Sequence, residues 1–153
     1  IKNPTHYPDR SNFVWCTTMA LNGLIGKGVP QDWATHQIGH ELTAHLGMDH
    51  AQTLAVVLPA LLRHQFENKK AKLAQYGKRV WKIKGASQNI AWQSIEKTEE
   101  FFESLGIRTN LASYGGTREL VNHITDKLQG AKMGEHGLID ATAINDILMS
   151  CFK

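Results

Sequence analysis

The sequence predicts an all-α fold, an array of about seven helices joined by short loops. Three observations lead to this prediction. Apolar residues recur at helical spacing through most of the 153 residues, glycine and proline separate these runs, and no segment keeps the alternating pattern of a half-buried strand. We therefore expect one helical domain over residues 1–153, with a core of its own.

The first helices are predicted from signals at their ends. The first helix opens at Pro8 or Asp9 and carries apolar side chains as far as Ile25, before the loop GKGVP interrupts it. The second helix runs from an N-cap at Asp32 to a stop at Gly47.

Asp49 can cap a third helix, HAQTLAVVLPALLRHQF, in which Pro59 is expected to introduce a kink. Four further segments carry apolar residues at helical spacing and complete the array: residues 69–82, 87–105, 117–129 and 140–152.

The composition is ordinary for a soluble globular protein, with 42% hydrophobic residues, 20% charged residues and a net charge of +3. Cys16 and Cys151 are the only cysteines, too few for a disulfide framework, so a reducing cytoplasm is the expected location. No apolar run approaches the ~18 residues of a membrane span, and no signal peptide is recognisable. No membrane partner is therefore expected.

A basic segment between Arg63 and Lys84 raises an alternative function. It carries eight lysines and arginines against a single acid, Glu67, with Tyr76 and Trp81 interleaved. Such patches can bind phosphate backbones and stack on bases. A solvated helix face with its aromatic rings in the core is favoured, because the net charge is low and an acidic stretch follows. Nucleic acid is therefore not an expected partner.

Four of the eight histidines lie within residues 35–50, which read THQIGHELTAHLGMDH. His36 and His40 share a helix face, close enough to approach one ion. His45 is rotated away from that face. HELTAH is one residue longer than the H-E-x-x-H of zinc proteases, and the correctly spaced pair has Gln37 where that motif needs glutamate. Zinc-protease chemistry is therefore not expected.

His50 completes a possible metal site if the chain reverses. It lies about 21 Å from His36 on a straight helix at 1.5 Å per residue, whereas metal–nitrogen bonds are about 2.0–2.1 Å. Gly47 supplies the break. We expect the rings of His36 and His50 to converge across this turn, with His40 facing the same cleft.

The stretch DWATHQIGHELTAHLGMDHAQTLAVVLPALLRHQ resembles the metal-binding signature of the iron-containing, or group III, alcohol dehydrogenases. In that family a helix bears H-x-x-x-H, a third histidine follows ten residues later, and a proline comes further on. His36, His40, His50 and Pro59 match this order and spacing. The similarity is nearest to the branch of NADPH-dependent butanol dehydrogenases and broad aldehyde reductases, and it extends over most of the chain as the family's C-terminal metal-binding domain.

The resemblance implies an oxidoreductase that transfers hydride between NADP(H) or NAD(H) and a small alcohol or aldehyde. A divalent metal, Fe²⁺ or Zn²⁺, would polarise the substrate oxygen. The resemblance implies His36 and His50 as metal ligands, and His40 as the catalytic and cofactor-binding residue that faces the nicotinamide. It also implies a homodimer for the complete enzyme.

Two parts of the family pattern are absent. No D-x-x-x-H segment, which supplies an aspartate and a histidine ligand, precedes Asp32, and Asp32 itself could form that spacing only by reusing His36. The glycine-rich cofactor segment and its α/β domain are also missing. We therefore expect a C-terminal fragment of a two-domain enzyme, inactive alone. A non-redox helical metal-binding module and, less favoured, a basic nucleic-acid-binding domain stay open.

Overall fold

The computed structural model describes residues 3–152 and confirms the all-α prediction. Within that range it contains seven α-helices and two short 3₁₀ helices. The only β feature in the same range is an isolated antiparallel bridge between Met133 and Ile139. The chain divides into two compact units, residues up to Gln31 and residues from Asp32 onward. One helical domain over residues 1–153 stays a prediction.

The first unit contains one α-helix, α1 (Tyr7–Leu21), followed by a 3₁₀ turn at Leu24–Gly26. Pro8 lies in the first turn of α1, where a missing N–H removes no helical hydrogen bond. The sequence predicts a helix that continues to Ile25, but the chain turns at Gly23, whose φ of 83° lies in the left-handed region. That turn ends α1 early and leaves the following apolar residues in a separate short element.

The second unit contains six α-helices with short connections. Helix α3 lies at its centre and contacts four of the other helices. Helix α6 packs on α7. The helices are α2 (Ala34–Leu46), α3 (His50–His64), α4 (Phe66–Arg79), α5 (Ser87–Ser104), α6 (Arg118–Lys127) and α7 (Ala141–Met149), with a 3₁₀ helix at Leu111–Tyr114 before α6.

The core of the second unit is largely aliphatic. A main cluster joins α2, α3, α6 and α7, and a smaller one holds α4 against α5. Each buried side chain of leucine or valine size contributes about 1.5–3 kcal/mol. The helix pair α2–α3 is therefore anchored by the main cluster, whose fully buried members include Ile38, Leu42, Val57, Leu61, Ile124, Ile144, Ile147 and Leu148.

The boundary between α3 and α4 differs from the prediction. The third predicted helix continues to Phe66, but α3 ends at His64 and Phe66 already begins α4. Gln65 separates them with a side chain that is only 7% exposed and accepts a hydrogen bond from Asn68 at 2.9 Å. Pro59 lies inside α3, and the kink stays a prediction.

Both cysteines carry free thiols, Cys16 exposed and Cys151 buried. Burial raises the pKa of the Cys151 thiol to about 12. Among the helices of residues 3–152, none has both the length and the apolar content that crossing a bilayer requires.

Candidate metal centre

A tight turn connects α2 and α3, and its signals match the sequence prediction. Gly47 follows α2 with a φ of 63°, and its N–H donates to the carbonyl of Thr43 at 2.9 Å. This φ lies in the left-handed region that favours glycine. Asp49 precedes α3 in a capping box with Gln52, whose side-chain oxygen accepts the Asp49 N–H at 2.9 Å. The predicted helix stop at Gly47 and the predicted cap at Asp49 are both confirmed.

A glycine lets the two helices approach closely beyond this turn. A β-carbon placed on Gly39 would lie 2.8 Å from Oγ1 of Thr53 and 3.2 Å from its Cβ. Both residues are buried, and the Thr53 hydroxyl donates to the carbonyl of His50 at 2.8 Å. The first turn of α3 therefore lies directly against the face of α2 that carries His36 and His40.

The structure brings together three of the four clustered histidines. The ring centroids of His36 and His50 are 5.1 Å apart, and those of His40 and His50 are 6.3 Å apart. His45 lies elsewhere, with its ring 5.2 Å from that of His123. The two residues predicted as metal ligands are thus neighbours with His40 beside them. Their roles as ligands and as a catalytic group stay predictions.

The environment of His36 favours its neutral form. Burial lowers the pKa of His36, and the charges that His50 and His40 carry when protonated lower it further. Trp33, directly before α2, places its ring 5.1 Å from the His36 ring in an edge-on contact. A neutral imidazole has the free nitrogen lone pair that a metal ion binds.

The donor set fits part of a transition-metal site. Imidazole nitrogen suits both iron and zinc. Across residues 3–152, no group of three or more His, Cys, Asp or Glu side chains is arranged to hold a metal ion. Since zinc in structural sites takes four ligands and in catalytic sites usually three protein ligands plus water, the two histidines predicted as ligands would fill only part of such a shell.

Asp32 holds the start of α2. Its Oδ1 accepts the N–H of Ala34 at 2.9 Å, and its Oδ2 forms an ion pair with Nζ of Lys69 at 2.8 Å. The N-cap of α2 is Trp33, so the N-cap predicted at Asp32 is wrong by one residue, although the Asp32 side chain still accepts the first N–H of the helix. Both oxygens of Asp32 are therefore engaged in contacts that hold the start of the helix.

Three residues near this site have no assigned role in the sequence predictions. Trp33 lies in the stretch DWATH but outside the histidine spacing, and Lys69 lies in the basic segment, 37 positions after its partner Asp32. Gly39 is different, because a glycine inside a predicted helix costs about 1 kcal/mol relative to alanine and usually has a packing reason. Its position between His36 and His40 is the one sequence feature that points to a close helix contact.

The basic segment is partly neutralised by acidic side chains. Arg63 pairs with Glu99 of α5, and Lys70 pairs with Glu67 on its own helix. The ring of Trp81 packs against two neighbouring aromatic rings, with centroids about 6 Å apart. These contacts favour the solvated helix face over a nucleic-acid-binding surface.

Comparison with known proteins gives a consistent result. A model of the C-terminal part of the Fe-containing alcohol dehydrogenase family matches residues 1–148. The NADPH-dependent aldehyde reductase YqhD of Escherichia coli is 47% identical over 150 residues, which are 97% of this chain and 38% of that protein.

Solved structures agree in fold. A crystal structure of YqhD from Escherichia coli K-12 superposes with a TM-score of 0.93 at 45% identity, covering 98% of this chain and 40% of that one. The NADH-dependent butanol dehydrogenase A of Thermotoga maritima superposes with a TM-score of 0.90 at 26% identity, covering 99% of this chain and 41% of that one. The chain thus spans about 40% of the length of these relatives.

Proposed function

The chain belongs to the Fe-containing alcohol dehydrogenase family, and we propose that it is the helical, metal-binding part of an NAD(P)H-dependent aldehyde reductase and alcohol dehydrogenase. The observation that carries the proposal is the 5.1 Å separation of the His36 and His50 rings at the α2–α3 turn, where the family pattern has two metal ligands. The nucleotide-binding part is proposed to lie outside these 153 residues, since the relatives are more than twice as long.

His36 and His50 are proposed to bind a divalent metal, Fe²⁺ or Zn²⁺, through one ring nitrogen each. When bound, such an ion supplies Lewis-acid polarisation of the substrate oxygen. The lowered pKa of His36 supports this role, because it favours the neutral imidazole, whose nitrogen lone pair can bind a metal ion. The close contact of Gly39 with Thr53 and the turn at Gly47 hold the two rings side by side.

His40 is proposed as the catalytic and cofactor-facing residue. Its exposed side chain follows His36 by one helical turn, and its ring lies 6.3 Å from that of His50. In aldehyde reduction, His40 would supply the proton that the carbonyl oxygen takes up, and a bound nicotinamide cofactor would supply the hydride for the carbonyl carbon. The same ring can orient the nicotinamide of NADP(H) or NAD(H).

The complete protein is proposed to be a cytoplasmic homodimer that acts on small-molecule alcohols and aldehydes. The proposal covers both nicotinamide cofactors, because the Escherichia coli relative is named NADPH-dependent and the Thermotoga maritima relative NADH-dependent. Two free thiols and a basic segment with its own acidic partners support this setting without a nucleic-acid or membrane partner.

The test uses the full-length protein that contains this chain. Metal content is measured by elemental analysis, and reduction of a short aliphatic aldehyde is measured with NADPH and with NADH. We expect His36→Ala and His50→Ala to lose metal and activity together, while His45→Ala, whose ring faces His123, keeps both. Full metal content in His36→Ala would overturn the ligand assignment. Stoichiometric metal without activity on any aldehyde or alcohol would favour the non-redox metal-binding module.

A further inference from the structure

Lys69 joins three separate parts of the second unit through one ammonium group. From α4, its Nζ contacts Oδ2 of Asp32 at 2.8 Å and Oε1 of Glu135 at 3.3 Å. Asp32 lies just before α2, and Glu135 lies in the segment between α6 and α7. The three side chains are only 15%, 17% and 30% exposed. This shielded cluster therefore ties the start of α2 to two other elements.

The cluster differs from the ordinary ion pairs on the same helix. Lys70, the next residue, pairs with Glu67 at 2.6 Å, but those side chains are 52% and 74% exposed. Such exposed pairs contribute little because solvent screens them. Burial alone would lower the pKa of Lys69, yet hydrogen bonds and negative charge from Asp32 and Glu135 raise it overall. Lys69 is therefore a charged residue within a partly buried cluster.

The cluster lies next to the candidate metal centre. Asp32 precedes His36 by four residues and lies just before the first turn of α2. The same Asp32 side chain that holds Lys69 also caps the amide of Ala34. Trp33, between these two residues, places its ring against that of His36. A shift of Asp32 would therefore move both the first turn of α2 and the Trp33 ring that contacts His36.

We propose that Lys69 is a positioning residue for the metal centre, fixing the direction of the His36 ring through its partly buried ion pair with Asp32. The inference rests on the proposed function, in which His36 binds the metal. Partners that orient metal-binding side chains change metal affinity by about 10–100-fold when they are removed. Lys69 acts one contact further out, through the helix start, and touches neither metal nor substrate.

The experiment titrates the metal-free full-length protein with Co²⁺, whose visible absorption reports ligand geometry as well as affinity. Lys69→Met removes the charge and keeps the length of the stem. We expect it to weaken Co²⁺ binding up to about 10-fold, the lower end of the range for partners that bond a ligand directly, and to change the absorption band. Lys69→Arg keeps the charge and should restore most of the affinity. Lys70→Met, which breaks the exposed pair with Glu67, should match the wild type in both affinity and spectrum.

A second variant changes Asp32, the partner of Lys69 in the ion pair. Asp32→Asn keeps an oxygen that can accept the Ala34 N–H but removes the carboxylate that faces Lys69. Asp32→Asn should also weaken Co²⁺ binding, as Lys69→Met does. It replaces Lys69→Met in the test if that variant fails to fold. In both variants the metal-free protein should show shifted ring resonances for His36 in ¹H–¹³C spectra, with those of His45 unchanged.

The outcomes separate the two proposals. If His36→Ala abolishes Co²⁺ binding while Lys69→Met and Asp32→Asn bind it as the wild type does, the positioning role is wrong and the metal site stands. A lower Tm in Lys69→Met with unchanged affinity and spectrum would also overturn the positioning role, since Lys69 would then be merely structural. If His36→Ala binds Co²⁺ normally, the metal-site assignment fails and the positioning role fails with it.

Discussion

Gly39 and Thr53 meet where α2 packs on α3, with 2.8 Å between the Thr53 hydroxyl oxygen and the place where a β-carbon of residue 39 would stand. The same helix contact sets the distance between His36 on α2 and His50 on α3. The distance between the two rings therefore depends on the distance between α2 and α3. A change that moves the helices apart is expected to move His50 away from His36.

Gly39→Ala is the direct test of this relation. The added methyl group should push α3 away, which lowers stability by about 1–3 kcal/mol, as overpacking of cores usually does. Metal affinity should fall as well, because His50 moves away from His36. Urea unfolding measures the stability, and Co²⁺ titration measures the metal affinity.

Gly77→Ala is the matched control, since its β-carbon would meet Ile90 at 2.7 Å in the α4–α5 contact. It should lower stability alone, and an equal loss of metal affinity in both variants would contradict the prediction.

His40→Ala should separate metal binding from catalysis. Because His40 is proposed to face the nicotinamide, the variant should keep nearly full metal content while kcat falls by about 10²–10⁴-fold, the usual effect of losing a general acid–base group. Elemental analysis and steady-state aldehyde reduction are measured side by side with His36→Ala. Metal loss as complete as in His36→Ala would instead make His40 a metal ligand.

The lowered pKa of His36 predicts the direction of a pH effect. In the metal-free protein, the unfolded chain binds a proton at His36 near the ordinary value of 6.5, whereas the folded protein does so only at lower pH. Between these two values the unfolded state holds more protons, so stability falls as the pH decreases. Urea unfolding between pH 8 and pH 5, compared with His36→Gln, measures this contribution. A contribution that grows as the pH falls would be the opposite of what is expected.

The two thiols should differ sharply in reactivity. Alkylating reagents attack the thiolate, and burial raises the pKa of the Cys151 thiol to about 12, while Cys16 is exposed. At pH 8, iodoacetamide should modify Cys16 in the folded protein and reach Cys151 only after denaturant is added. Peptide mapping by mass spectrometry distinguishes the sites. Rapid labelling of Cys151 without denaturant would show that the α7 end of the core opens readily.

The helix ends that the sequence predicts correctly are those with a cap formed by neighbouring residues. Gly47 and Asp49 act on neighbouring backbone groups, so their roles follow from a few residues of sequence. The early end of α1 at Gly23 and the break at Gln65 were harder to predict. At Gly23 the apolar pattern continues through the turn, and at Gln65 no glycine or proline marks the break between α3 and α4.

In the candidate site too, local features follow from the sequence, whereas contacts between distant residues do not. The shared face of His36 and His40 follows from helix periodicity, and the return of His50 follows from a glycine turn. The contact of Asp32 with Lys69 joins residues of different helices, and its existence depends on how α4 packs near the start of α2. Spacing along the chain carries no information about such a pair, so sequence alone did not reveal it.

The short turn between α2 and α3 also limits how the length of this segment can vary. Only three residues, Gly47 to Asp49, separate the two helices. One residue inserted between His36 and Gly47 would rotate the His36 ring by about 100° around α2, and a whole added turn would move it by about 5.4 Å. Neither change can be absorbed by a turn this tight. In proteins that keep the histidine pair, insertions and deletions are therefore expected to lie outside the segment from His36 to His50.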